Sequence, residues 1–136
     1  MQNIINKIKE IAFAFDKNQF PGRTLHLSFI VYKKRIVTIG QNTKKTHPIN
    51  LKNRKISKEG IDISKLCGTC GEWAALRSLK NLTNIPAKKC SLINIRINKL
   101  NEIRMSRPCH SCISLLTFFN LDKIYYSNNQ GQFQKL

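Results

Sequence analysis

Residues 66–76 read LCGTCGEWAAL, with two cysteines three positions apart and a glutamate two residues past the second. Thr69 is placed to cap a helix beginning near Cys70 and running through Gly71-Glu72-Trp73 to about Leu82. A second cysteine pair follows in RPCHSC, residues 107–112, where Ser106 and Pro108 form a helix-start signal. Cys109 and Cys112 then lie one turn apart at a helix N-terminus, and Cys70 stands at another. A helix N-terminus favours the thiolate, the form that binds metal. Two such termini meeting at one ion would present three sulfur ligands, a set suited to Zn²⁺.

The rest of the chain supplies a frame for those two helices. Ile4, Ile5, Ile8, Ile11, Ala12 and Phe15 fall on one face of a helix over residues 2–17. RTLHLSFIVY and RIVTIG read as two strands of a hairpin joined at Lys33 and Lys34. The stretch from Gln41 to Ser64 is polar, basic and weakly patterned, as functional loops often are. CSLINIRI is a third strand, KIYYS a fourth, and NNQG turns the chain into a short last strand, QFQKL. The order is helix, two strands, helix, strand, helix, strand, strand. At 136 residues this is one α/β domain, residues 1–136, with a core that needs no disulfides.

Five cysteines, an odd number, fit metal ligation better than a disulfide set. The N-terminus lacks a signal-peptide pattern, and no run approaches the roughly 20 apolar residues of a membrane span. A cytoplasmic protein with no membrane partner is expected. The net charge of +17, from 24 Lys and Arg against 7 Asp and Glu, points to a polyanionic partner. AT-rich coding would also enrich Lys, Asn and Ile, but it should raise Glu as well, and Glu is scarce.

A closed Cys₄ structural site built from CGTC and CHSC is the rival to a three-cysteine site. The pairs are separated by all of residues 71–108, whereas about 15–20 residues is usual for such ribbons. Ligation by Cys67 would also fill the fourth position. Without it the metal keeps an open position, as catalytic zinc does, within reach of the Glu72 carboxylate.

Cys70-Gly71-Glu72 followed by Pro108-Cys109-His110-Ser111-Cys112 resembles the paired signature of the zinc-dependent cytidine deaminase superfamily. The resemblance spans nearly the whole chain and implies a three-layer α/β/α fold around a mixed sheet of about five strands. The short NNQG link implies that the last two strands are antiparallel, as in the cytidine deaminase division. KTHP (45–48) and YYSNNQG (125–131) look like segments of small phage-encoded deaminase-like proteins. Gly71 stands where the family commonly has Ala. A cysteine as first ligand looks more like the free-cytidine enzymes than the nucleotide or polynucleotide branches.

The resemblance implies Zn²⁺ on Cys70, Cys109 and Cys112, with Glu72 moving protons during hydrolytic conversion of cytosine to uracil. It implies substrate contacts from Asn42, in Gly40-Gln41-Asn42, and from backbone at Gly71. His47 and Tyr126 are added as candidate substrate contacts. Lys44, Lys45, Lys52, Arg54, Lys55 and Lys58 form a basic loop for nucleic acid, so the expected substrate is single-stranded nucleic acid. The alternatives are cytidine, deoxycytidine or its monophosphate, with a homo-oligomer closing the pocket, and a non-catalytic Cys₄ zinc module binding nucleic acid. Arg77 and Arg104 are candidates for a cation near the thiolates. His26, His110, Trp73, Cys67 and Cys90 are expected to be structural or surface residues.

Overall fold

The structure, a computed structural model, describes residues 2–20, 22–42, 70–79, 82 and 84–136. Thr69, Cys67, His47 and the basic set Lys44, Lys45, Lys52, Arg54, Lys55 and Lys58 lie outside the described residues.

Helix α1 spans Gln2–Phe13, shorter than the apolar periodicity suggests. Asp16 ends the pattern: its side chain accepts the Asn18 N–H and caps a short 3₁₀ turn, Lys17–Gln19. Strands β1 (Thr24–Tyr32) and β2 (Arg35–Gln41) pair antiparallel. Lys33 and Lys34 both carry positive φ, 49° and 64°, in the two-residue turn between them. Such turns match the twist of the flanking strands. A register shift between Ile30 and Val31 bulges this pair.

Helix α2 (Gly71–Leu79) is followed by β3 (Ser91–Asn98), β4 (Ile103–Arg104), α3 (His110–Phe118), β5 (Lys123–Ser127) and β6 (Phe133–Lys135). The sheet runs β2-β1-β3-β5-β6, and β4 extends the β5 side of β3. Only the β3–β5 pairing is parallel. The last two strands are antiparallel, as the NNQG turn requires. Asn128 Oδ1 accepts the N–H groups of Gln130 and Gln132, and Gly131 takes φ +78°.

Strand β4 and the start of α3 depart from the sequence reading. Asn98 Oδ1 accepts the Leu100 and Glu102 N–H groups, and that tight turn folds Ile103–Arg104 back onto β3. Ser106 does not cap α3, because its hydroxyl is committed to the sheet, donating to Asn94 O and meeting Ser127 Oγ at 2.8 Å. Helix α3 therefore starts at His110, with Cys109 in the capping position.

Alternation along the strands builds two cores. Leu25, Leu27, Phe29, Ile93, Ile95 and Ile97 bury against α1 on one face. On the other, Ile30 and Leu92 pack under α2 and α3 with Trp73, Leu76, Cys90, Cys112 and Leu116. Each such side chain contributes about 1.5–3 kcal/mol when fully buried. The domain is thus an α/β fold with a helical layer on each face of a mixed sheet. Trp73 and Cys90 are core residues and His110 is exposed, as expected. Among the described residues, no helix is long and apolar enough to cross a membrane.

Candidate active site

Helix α2 lies unusually close to the hairpin. A Cβ built on Gly40 would meet Gly71 O at 2.0 Å and Ala75 N at 2.5 Å. Only glycine at position 40 allows this contact. Thr38 fastens the same turn from below, its hydroxyl donating to Ala75 O at 3.1 Å. Gly71 is also close-packed, since a Cβ there would lie 2.8 Å from Ser28 Oγ.

This approach drives Glu72 into the sheet face, where it is buried. Ser28 Oγ lies 3.1 Å from Glu72 Oε1 and 2.7 Å from Asn94 Oδ1. Asn94 is oriented by its own amide, whose Nδ2 donates to Ser106 O at 3.2 Å. With one hydroxyl proton between two acceptors, Ser28 couples the carboxylate to the Asn94–Ser106–Ser127 network. His26 Nε2 stands 3.3 Å from Glu72 Oε1 but off hydrogen-bond alignment, and it has no other hydrogen-bond partner among the described residues. Burial pulls the His26 pKa down, outweighing the opposing pull of Glu72; Arg96 lowers it further. The contact is therefore one of a carboxyl group with a neutral imidazole.

The cysteines gather at the heads of the two helices. Cys70 O accepts the Ala74 N–H and Cys109 O accepts the Ile113 N–H, so each occupies the capping position of its helix. Cys112 lies one turn into α3. The neighbouring Cys112 thiol, helped by Cys109, holds the Cys70 pKa down despite burial and the Glu72 charge. The Cys70 side chain, with burial, pushes the Cys112 pKa up. Cys112 is buried, Cys70 half-buried and Cys109 exposed, so the cluster opens toward solvent. Among the described residues, no three His, Cys, Asp or Glu side chains stand at the spacing of a finished metal cage. The donor chemistry nonetheless fits a soft or borderline cation, with thiols offered by two helix termini near a buried carboxylate.

The remaining candidates take various places. Asn42 Oδ1 accepts the His26 N–H at 2.9 Å, and Asn42 N–H donates to His26 O at 3.1 Å, so this residue clamps the strand beneath Glu72. Tyr126 is in register with Asn94, on the same sheet face, while Tyr125 packs against the α1 core. Arg104 is exposed on β4, 3.2 Å from Glu102. Arg77 is half-buried on α2, with its Nη1 buried and unpartnered among the described residues.

The sequence reading did not assign His26, Ser28, Asn94 and Arg96 to the site. A signal was present: in TLHLSFI and SLINIRI the polar residues occupy alternate positions of otherwise apolar strands, which places them together on one face.

No protein-family model matches the chain, and no curated protein matches it. The likeness to zinc-dependent deaminases rests on the residues themselves.

Proposed function

We propose that this protein is a zinc-dependent hydrolytic deaminase that converts cytosine to uracil with release of ammonia, acting on single-stranded nucleic acid. The observation that carries the reading is the buried Glu72 carboxyl beside Cys70, with Cys70, Cys109 and Cys112 at the heads of two helices.

Cys70, Cys109 and Cys112 would hold the zinc. When bound, Zn²⁺ supplies Lewis-acid activation of water at neutral pH. Glu72 accepts a proton from the attacking water, passes it to ring nitrogen N3, and delivers the second proton to the leaving amine. One water is consumed and one ammonia released per base, with no redox change. Ser28 holds Glu72 Oε1, and the neutral His26 lines the same carboxylate oxygen without fixing a positive charge against it. Backbone at Gly71 offers a donor to the base carbonyl, and the Tyr126 ring a surface for stacking.

The polymeric substrate follows from charge. A nucleoside gains nothing electrostatically from Lys44, Lys45, Lys52, Arg54, Lys55 and Lys58, and a mononucleotide would engage two or three of them at most. Several phosphates on one strand would use them all. Single strands also present the base without the few kcal/mol of unpairing.

The test compares turnover of cytidine, its monophosphate and a cytosine-containing single-stranded oligonucleotide at two salt concentrations. The oligonucleotide should be turned over fastest, and its rate below saturation should fall steeply with salt. A salt-insensitive preference for cytidine would overturn the polymer assignment. Absence of ammonia from every cytosine substrate, with zinc bound, would overturn the deaminase reading.

A further inference from the structure

The sheet face beneath α2 and α3 is graded in rows across the strands. Thr38, Ile30, Leu92 and Ile124 are in register and form the row nearest the core. The next row, Gly40, Ser28, Asn94 and Tyr126, carries the network that holds Glu72. The third row continues outward: His26 is in register with Arg96, and Arg96 with Arg104. Asn42 closes its far end by bonding His26. Ile95, Ile97 and Ile103 pack toward α1, so alternation puts Arg96 and Arg104 on the same face as His26 and Glu72.

The buried Arg96 Nε donor in this row has no acceptor among the described residues, and neighbouring His26 Nε2 has no aligned hydrogen bond there. Among those residues no carboxylate lies within ion-pair distance of Arg96; the close acids are Glu72, which faces His26, and Glu102, which faces Arg104. The Arg104–Glu102 pair is solvent-exposed on both sides, so an incoming anion displaces it at little cost. A guanidinium half sunk in a sheet, with its inner N–H unmet, is built to receive an oxyanion.

We propose that Arg96, flanked by Arg104, is the phosphate subsite of the substrate, so that the target must be a nucleoside phosphate, free or within a strand. This rests on the deaminase reading for the placement of the base at Glu72. From His26, which touches Glu72, Arg96 is one strand spacing away and Arg104 two, about 4.8 Å each. A base seated over Glu72 would have to carry its sugar-phosphate toward this row.

The experiment measures binding by calorimetry, using the full zinc-loaded chain with uridine, uridine 5′-monophosphate and a short single-stranded oligouridylate. These product-type ligands undergo no turnover. The monophosphate should bind roughly tenfold or more tightly than uridine. Arg96→Gln should bring that ratio close to one while leaving uridine affinity unchanged, and Arg104→Gln should lower it in part. The exposed Arg104 variant and the wild-type ratio carry the test should Arg96→Gln fail to fold. Equal binding of uridine and its monophosphate by the wild type, no binding of the monophosphate, or equal weakening of both ligands by Arg96→Gln would each overturn the subsite. A further gain for the oligouridylate that shrinks with salt identifies the phosphate as belonging to a strand, and no gain identifies a free nucleotide. Phosphate preference without ammonia release from any cytosine substrate would remove the deaminase reading and leave the subsite standing. Deamination without phosphate preference would do the reverse.

Discussion

His26 Nε2 lies 3.3 Å from Glu72 Oε1, and burial keeps that imidazole neutral against the pull of the carboxylate. The folded His26 pKa lies below its unfolded value of about 6.5, so the unfolded chain takes up the proton more readily. The resulting stability is complete above pH 6.5 and is lost as pH falls through 6.5 toward the lower folded value. Urea midpoints of the wild type should therefore drop between pH 8 and pH 5 more than those of His26→Gln. Equal drops in the two proteins would mean that burial does not lower the His26 pKa in the fold.

Glu72→Gln preserves the size of the side chain and a hydrogen-bonding partner for Ser28. It should leave zinc content and the unfolding midpoint close to wild type while lowering ammonia release by about 10²–10⁴-fold. A variant retaining more than a tenth of the wild-type rate would remove Glu72 from proton transfer.

Cys109→Ala and Cys112→Ser should each lower bound zinc, measured by metal analysis after dialysis. Cys67→Ser should keep about one zinc per chain, and its loss would favour the closed Cys₄ module. Cys90, buried in the core beneath α3, is an internal control: Cys90→Ala should reduce stability with no change in metal content.

Gly40→Ala places a methyl group 2.0 Å from the Gly71 carbonyl oxygen, and both partners are backbone. The helix must lift, which should cost about 1–3 kcal/mol or more in denaturant unfolding. Activity should fall further than stability, because Glu72 rides on that turn.

Gly71→Ala meets a side-chain hydroxyl, Ser28 Oγ at 2.8 Å, so its cost depends on Ser28. Combined with Ser28→Ala it should be less than additive, with an interaction of about 0.5–3 kcal/mol in a double-mutant cycle. Strict additivity would place the two groups out of contact.

The secondary structure was legible wherever a single period governs a segment. Strands β1 and β3 alternate, α1 shows an apolar stripe, and NNQG has turn chemistry that allows few alternatives. Boundaries failed where a polar side chain had two possible employers. Ser106 beside Pro108 carries every mark of a helix cap, yet it bonds to the sheet, a choice that depends on Asn94 and Ser127 lying nearby. The placement of Cys70 and Cys109 at helix starts could be read locally, because a helix start is announced within a turn. The support beneath Glu72 could not, because Ser28 finds its partners across separations of 44 and 66 residues. Alternation tells which face His26 and Arg96 take, but nothing near them in the chain tells that Glu72 lies across it.

Those long separations also govern when the site comes into being. The Ser28–Glu72 and Ser28–Asn94 bonds each close a large loop of chain, and such contacts form late because their entropy must be overcome first. Helices α2 and α3 can form earlier with their cysteines already at their heads. Cys70 meets Cys109 and Cys112 only across loops about as long as the one between Ser28 and Glu72, so during refolding zinc binding and the seated carboxylate should be recovered together, after the helices themselves.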